Sequence, residues 1–270
     1  MLKIGVIGCG AIGAQICRAI DSGSINARLA AIYDRSAQHC EMLLESLHNK
    51  PSISSPAELV SRADIVVECA SQAAVREHGL FVLESGKDLM VMSVGAFMDE
   101  KLLSDLVHAA RKNDCKIYIP SGAIAGIDGL RSAKVASIDK VEISTTKNPK
   151  GLQGAPFIIE NNIDLYSLHE KTMIFEGNAK DAVRAFPANV NVAASLSLAG
   201  IGPDDTRVKI FVDPETLRNI HEITVEGDFG NFTCRIENVP SPDNPRTSLL
   251  AALSAIATLK KITEPLQIGT

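Results

Sequence analysis

Hydrophobic positions in the first 120 residues fall into short runs separated by amphipathic stretches, and this alternation predicts a parallel sheet with helices on its faces. The predicted strands are Lys3 to Ile7, Leu29 to Tyr33, Asp64 to Glu68, Asp88 to Met92 and Lys116 to Ile119. Apolar residues recur at helical spacing over Ala11 to Asp21, Ala37 to Leu47, Gln72 to Glu84 and Glu100 to Lys112. After Pro120 the rhythm changes. Gly122 to Gly129 opens another helical segment, Ile138 to Thr146 reads as a strand, and Gly151 to Leu168 reads as loop. Short helices are predicted over Ala179 to Ala185 and Ala188 to Leu198, where Asn189 and Asn191 put two amides at the helix start, a residue type suited to capping. Strands at Arg207 to Val212, Ile220 to Glu226 and Asn231 to Glu237 follow, the last two joined by a turn at Gly227 to Gly230, which predicts antiparallel pairing. From Arg246 to Lys261 an apolar stripe (Leu249, Leu250, Leu253, Ile256, Ala257) predicts a helix with Asn244 at its N-cap and Pro245 at its first position.

The fold class is therefore α/β: a Rossmann doubly wound parallel sheet over residues 1–120, and a second α+β domain with a largely antiparallel open sheet over residues 121–244. The second domain is the expected place for substrate binding and oligomerisation. A helix over 245–270 is expected to pack back on the first domain, and an open sheet calls for a covering partner, here a second copy in a homodimer.

Composition removes several classes of partner. Among 270 residues, 27 are basic and 32 acidic, and no basic run is long enough to neutralise a row of phosphates, so nucleic acid is not expected. No apolar stretch approaches the roughly 18 residues of a membrane span, and the start lacks the basic and apolar regions of an export signal. A cytoplasmic location without membrane contact follows as the expectation. Six cysteines (Cys9, Cys17, Cys40, Cys69, Cys115, Cys234) form no C-x-x-C pair and read as small buried thiols in a reducing compartment, and no metal site is expected.

The first chemistry-bearing motif is Gly8-Cys9-Gly10-Ala11-Ile12-Gly13, placed directly after a strand and at the opening of a helix, the context of a dinucleotide-binding turn. Gly8 allows the tight turn, Gly10 leaves room for the pyrophosphate, Gly13 lets helix and sheet approach, and the free amides of Ala11 and Ile12 at the helix start face the phosphates. Asp34 ends the second strand, where a carboxylate accepts both ribose hydroxyls of the adenosine half and favours NAD. Arg35 beside it keeps NADP open, since a guanidinium suits a 2′-phosphate. Ligands in such sheets lie beyond the strands' carboxyl ends, so Ala70 and Ser71 are also cofactor candidates, as are the small-residue turns at Ser93 and Ser121.

Hydride transfer to a nicotinamide requires no metal, but it requires positioning and a proton acceptor, most often histidine. Of six histidines, His39, His48, His78 and His108 read as surface positions of the nucleotide domain, and His169 lies in a polar loop. His221 shares strand parity with Ile223 and Val225, so it is either a hydrogen-bonded core histidine or a group lining a cavity. The run Thr145 to Lys150 offers hydroxyls and ammonium groups suited to a carboxylate, or is a solvated turn.

Taken together, the glycine turn, Ser121-Gly122-Ala123-Ile124-Ala125-Gly126-Ile127-Asp128-Gly129, Thr145-Thr146-Lys147-Asn148-Pro149, Phe186-Pro187-Ala188-Asn189-Val190-Asn191-Val192-Ala193-Ala194, the His221 strand and Asn244-Pro245-Arg246-Thr247-Ser248 resemble the L-aspartate dehydrogenases of archaea and bacteria. The likeness spans nearly the whole chain. It implies oxidative deamination of L-aspartate, through iminoaspartate, to oxaloacetate and ammonia, with NAD or NADP as cofactor and a link to NAD biosynthesis through the imine. It implies that His221 is the catalytic residue and that Ala125 and Asn191 contact the cofactor near its nicotinamide end. Lys147, Asn189, Arg246 and Thr247 are the candidates for holding the substrate. Other readings of the same build are a homoserine dehydrogenase or dihydrodipicolinate reductase type of enzyme, or a non-catalytic NAD-responsive regulator.

Overall fold

The computed structural model describes residues 1–241 and 244–269, the side chains of residues 244–246 excepted. The chain divides into two compact units, one of Met1–Pro120 with Ala252–Gln267, the other of Ser121–Ala251 with the residues from Ile268 onward.

In the first unit, strands β1 (Leu2–Ile7), β2 (Ala27–Tyr33), β3 (Ser52–Ile53), β4 (Ile65–Glu68), β5 (Asp88–Val91) and β6 (Ile117–Tyr118) alternate with helices α1 (Ala11–Asp21), α2 (Ala37–Glu45), α3 (Pro56–Arg62), α4 (Gln72–Glu84) and α5 (Glu100–Lys112). The sheet is parallel throughout, in the order β3-β2-β1-β4-β5-β6, so the chain reverses direction across the sheet between β1 and β4. That reversal opens a crevice at the strands' carboxyl ends. Continuous apolar runs such as Ile65-Val66-Val67 are buried on both faces, as a helix-covered sheet requires. Three elements fall outside the predicted set: β3, α3 and a short 3-10 helix over Val94–Met98, although α3 carries a capping box in which Ser55 Oγ accepts from Glu58 N and Glu58 accepts from Ser55 N.

The second unit contains α6 (Ile127–Ala133), β7 (Ile138–Lys147), α7 (Pro149–Leu152), α8 (Pro156–Glu160), β8 (Thr172–Asn178), α9 (Ala179–Ala185), α10 (Asn191–Ala199), β9 (Arg207–Val212), β10 (Asn219–Gly227), β11 (Gly230–Asn238), β12 (Pro240–Ser241) and β13 (Asn244–Ser248). Its main sheet runs β11-β10-β7-β9-β8 and is antiparallel except for the β7–β9 pair. One face is apolar, with Val141, Ile143, Val208, Ile210, Val212, Ile223 and Val225 buried. Phe157, Phe175 and Phe186 pack together beside it, with ring centroids 5.4 to 5.6 Å apart. The stretch read as loop, Gly151 to Leu168, holds α8 and the end of α7, and both helices open on a proline at the first turn.

The clearest correction is at Asn244-Pro245. These residues do not cap a helix. They belong to β13, which pairs with β12 through Ser241↔Asn244 and Pro240↔Ser248. A residue before proline is pushed toward extended backbone, and a nearby strand offers the pairing that a helix start would have forgone. The last helix, α11 (Leu249–Thr263), starts five residues beyond Asn244, with Leu249 N donating to Val239 O. Within the first unit its Ala255 and Leu259 are buried in one cluster with Ile4, Ile16, Cys17 and Met90.

Candidate active site

In the first unit, the glycine turn follows β1 and α1 begins at Ala11. Gly8 has φ of +102°, and a Cβ there would lie 2.8 Å from the backbone of Cys69 and Ala70, so only glycine fits. A Cβ on Gly13 would lie 1.9 Å from Gly8 O, whereas one on Gly10 would meet nothing within 4 Å. The turn is thus closed against the protein at Gly8 and Gly13 and open to a ligand at Gly10. Asp34 braces it: Oδ2 accepts from Cys9 N at 2.8 Å and Oδ1 from Ser36 N at 2.9 Å. Desolvation opposes ionisation of this carboxyl, but the amides of Cys9 and Ser36, with His39 Nδ1 at 3.4 Å, outweigh it and hold its pKa below the ordinary value.

These groups line a cavity of about 250 Å³ that includes Gly10, Asp34, Arg35, Ala70, Ser71 and His78. Its far wall is held by Glu68, 1% exposed at the end of β4. One carboxylate oxygen accepts from Ala70 N, Ser71 N and Ser93 Oγ, the other from Ser93 N, so one side chain ties the loops after β4 and β5 together. Burial pushes its pKa up against those four donors. Ser71 also caps α4 by accepting from Ala74 N.

In the second unit, alternation along β10 puts Asn219, His221, Ile223 and Val225 on the buried face of the sheet. His221 is directly opposite Thr145 of β7, and its Nδ1 lies 3.0 Å from Thr145 Oγ1. Two residues on, Lys147 shares that face and is 3% exposed. A polar patch of Thr145, Lys147, Asn219 and His221 therefore ends an otherwise apolar sheet face. Burial first, and then the charge of Lys147, lower the His221 pKa to about 3, and burial lowers that of Lys147 to about 8.

Buried amides hold the surrounding segments. Asn219 Nδ2 donates to Ser248 Oγ at 3.2 Å, and its register partner Asn238 donates to Ala123 O at 2.9 Å, fixing the loop that carries Ala125. Asn189 is not a cap: its Nδ2 donates to Gly151 O, and α10 begins only at Asn191, with Val190 in the capping position. Ala125 is exposed, Asn191 and Thr247 are half-buried, and the Arg246 side chain lies outside the described residues.

Residues 128–262 match the family model described as aspartate dehydrogenase, C-terminal, and residues 8–120 match that of the homoserine dehydrogenase NAD binding domain. L-Aspartate dehydrogenase of Methanococcoides burtonii is 59% identical over all of both chains, and that of Methanosarcina acetivorans 55% over all of both. The chain belongs to the L-aspartate dehydrogenase family. An aspartate dehydrogenase structure from Thermotoga maritima covers all of both chains with a TM-score of 0.76 at 28% identity. A homoserine dehydrogenase from Thiobacillus denitrificans shares the fold, with a TM-score of 0.62 at 14% identity over 97% of this chain and 74% of its own.

In this aspartate dehydrogenase family member, the glycine turn, Asp34, Arg35, Ala70 and Ser71 come together on one cavity, and its open wall at Gly10 fits a dinucleotide pyrophosphate. His221 and Lys147 come together in the second unit. Sequence pattern does not single out Glu68, Asn219 or Asn238. Each is a polar residue at a strand end whose importance comes from partners as many as 115 positions away. The available signal was parity: Asn219 alternates with His221 on an apolar face. No helix among the described residues is long and apolar enough to cross a membrane.

Proposed function

We infer that the protein is an NAD(P)-dependent L-aspartate dehydrogenase, acting on the CH–NH2 group of its substrate. The observation that carries this reading is the patch of Thr145, Lys147, Asn219 and His221, which offers a small diacid one cation, one imidazole and amide donors on a dry sheet face. The dinucleotide is held by Gly8, Gly10, Ala11, Ile12 and Gly13 at its pyrophosphate, by Asp34 and Arg35 at the adenosine ribose, and by Ala70 and Ser71. Ala125 and Asn191 are its contacts at the nicotinamide end. Held by these residues, the nicotinamide would supply the hydride acceptor for oxidation at the substrate α-carbon.

The substrate carboxylates are met by Lys147, Thr247 and Arg246, with Asn189 fixing the turn after β7. When Nδ1 of His221 donates to Thr145, Nε2 keeps its lone pair and faces the reacting amine or water as an acceptor. The low pKa keeps the imidazole neutral in the free enzyme, and the two negative charges of bound aspartate oppose the effect of Lys147 and draw it back toward its ordinary range. Iminoaspartate is then hydrolysed to oxaloacetate and ammonia, or released as the imine to NAD biosynthesis.

Cytoplasmic residence and a homodimer belong to the same reading. The outer face of the five-stranded sheet is only partly exposed polar surface, crossed by Lys209–Glu142 and Arg235–Glu222 ion pairs, and β8 and β11 leave its edges unpaired. The test is absorbance of the reduced nicotinamide with L-aspartate, D-aspartate and L-glutamate, each with NAD and NADP. Turnover confined to L-aspartate is the expected result. Turnover of D-aspartate or L-glutamate instead, or of none of the three, overturns the assignment.

A further inference from the structure

A site that reads only the unphosphorylated ribose needs a bare carboxylate, which accepts from both hydroxyls and repels a 2′-phosphate. Asp34 is not bare. Each of its oxygens already accepts from a backbone amide, Oδ2 from Cys9 and Oδ1 from Ser36, and His39 Nδ1 stands 3.4 Å from Oδ1. His39 belongs to the first turn of α2, and its side chain, 56% exposed, lines the cofactor cavity together with Arg35. With Nδ1 turned to Asp34, Nε2 is the ring nitrogen left to a ligand. The first turn of α2 holds no acidic residue, and three and four positions further along it Met42 and Leu43 are apolar. The glycine turn presents its amides and the buried thiol of Cys9. Across the cavity α4 contributes Glu77 and His78, 3.8 Å apart as a pair of their own, with His78 packed edge-on against Tyr33. Two acids and one arginine leave this end of the cavity negative while the imidazoles are neutral, and it becomes positive once both are charged.

Resting on the reading of this cavity as the adenosine ribose subsite, we propose that His39 decides between the two cofactors. Its imidazolium neutralises Asp34 and donates from Nε2 to the 2′-phosphate of NADP, whereas its neutral form leaves the Asp34 carboxylate to the two ribose hydroxyls of NAD. Arg35 cannot make this choice, because a guanidinium keeps its charge at every working pH and favours NADP by a fixed amount. Histidine changes charge between about pH 5 and 8, so the affinity for NADP relative to NAD rises as pH falls. The second ionisation of a phosphate monoester, at about pH 6, works the other way, and it does so equally in every variant of the protein.

The test measures dissociation constants for the reduced forms of both cofactors, followed by nicotinamide fluorescence, at about pH 6.5 and about pH 8.5 in the wild type, His39→Gln and His39→Lys. In the wild type the preference is expected to move toward NADP by about three- to tenfold at the lower pH. His39→Gln keeps a polar side chain without the charge. At the lower pH its NADP affinity should fall by about five- to tenfold while NAD binds as well as in the wild type or more tightly, since Asp34 is no longer masked. His39→Lys holds its charge at both pH values, so its preference for NADP should vary only with the phosphate. Equal changes for NAD and NADP in His39→Gln, or a preference in that variant that follows pH as in the wild type, overturn the proposal and leave His39 a brace for Asp34. A wild type that binds NAD but no NADP at the lower pH overturns it as well. If Asp34→Ala and Arg35→Gln also leave both affinities at their wild-type values, the reading of the cavity fails, whereas a response from those two with none from His39→Gln defeats this proposal alone.

Discussion

Thr145 Oγ1 and His221 Nδ1 lie 3.0 Å apart on directly opposed residues of β7 and β10, with both side chains buried. A hydroxyl there can accept from Nδ1–H or donate to a bare Nδ1, and either way the bond fixes the orientation of the ring. His221→Ala is expected to lower kcat by about 10² or more with NAD affinity nearly unchanged. Thr145→Val keeps the shape but loses the bond, and a fall of about tenfold in kcat is expected from a ring free to reorient. Kinetics with L-aspartate check both, and near-normal turnover in His221→Ala would return the residue to a purely structural role.

The same burial makes His221 an acid-sensitive element of the fold. Its pKa is about 3 in the native state and about 6.5 in an unfolded chain, so between those values the unfolded state binds more protons. Stability from this group is complete above about pH 6.5 and is lost as pH falls toward 3, over a range worth a few kcal/mol. Urea midpoints measured from pH 7 to pH 4 should fall less steeply in His221→Gln than in the wild type. Parallel curves would mean that the imidazole finds water or a partner when it charges.

Two glycines of one turn are expected to behave oppositely. Gly10 has φ of −73°, which any residue adopts, and a Cβ there meets nothing within 4 Å. Gly10→Ala should therefore melt like the wild type yet bind NAD about tenfold or more weakly, because the methyl occupies ligand space. In Gly13→Ala the methyl meets Gly8 O at 1.9 Å, and the turn must open, costing roughly 1–3 kcal/mol of stability as well as affinity. Thermal melts with and without NAD separate the two, and a Gly10→Ala protein with unchanged affinity would remove the pyrophosphate from this turn.

Where the physics is local, the residues disclosed it. Gly8, Gly10 and Gly13 declare a turn by their spacing, and His221 declares its face by alternating with Ile223 and Val225. Asn244-Pro245 misleads because the same pair suits a helix start and an extended strand, and the choice is made by β12, a partner that pattern alone does not reveal. The edge strand β8 hides for a similar reason, since a register shift between Met173 and Phe175 breaks its alternation. Glu68 reads as the polar end of an apolar run. Only the loops brought to it by β4 and β5 turn it into a fixed point.

Asp34 combines two tasks, and its substitution should separate them. Its carboxylate already accepts from Cys9 N, so Asp34→Ala loosens the turn for either cofactor. Only NAD, with two free ribose hydroxyls, loses the additional charge-assisted bonds, about 1.5–3 kcal/mol in total. NAD should therefore weaken by roughly 10- to 100-fold and NADP by less, with the exposed Arg35 left to meet the 2′-phosphate. Fluorescence titration of both cofactors reads the difference, and equal losses would show that Asp34 only braces the turn.

Glu68 provides the sharpest test of how the cofactor cavity is held. All three backbone contacts of its carboxylate are N–H donors, two on one oxygen and one on the other, and the fourth comes from the Ser93 hydroxyl. In Glu68→Gln, one oxygen becomes an NH2 group. Whichever way the amide lies, that group faces a backbone N–H. Buried donor facing donor costs on the order of 1–3 kcal/mol, so the melting temperature should fall despite the near-identical shape. Ala70 and Ser71 line the cavity while Glu68 does not, and the wall rather than the ribose-reading group is disturbed. Affinities for NAD and NADP should therefore weaken by similar factors, unlike the unequal losses in Asp34→Ala. Ser93→Ala removes the hydroxyl and leaves the backbone donors in place, and about 1 kcal/mol or less is expected from it. A Glu68→Gln protein as stable as the wild type would mean that the amides of Ala70, Ser71 and Ser93 do not depend on this carboxylate as their acceptor.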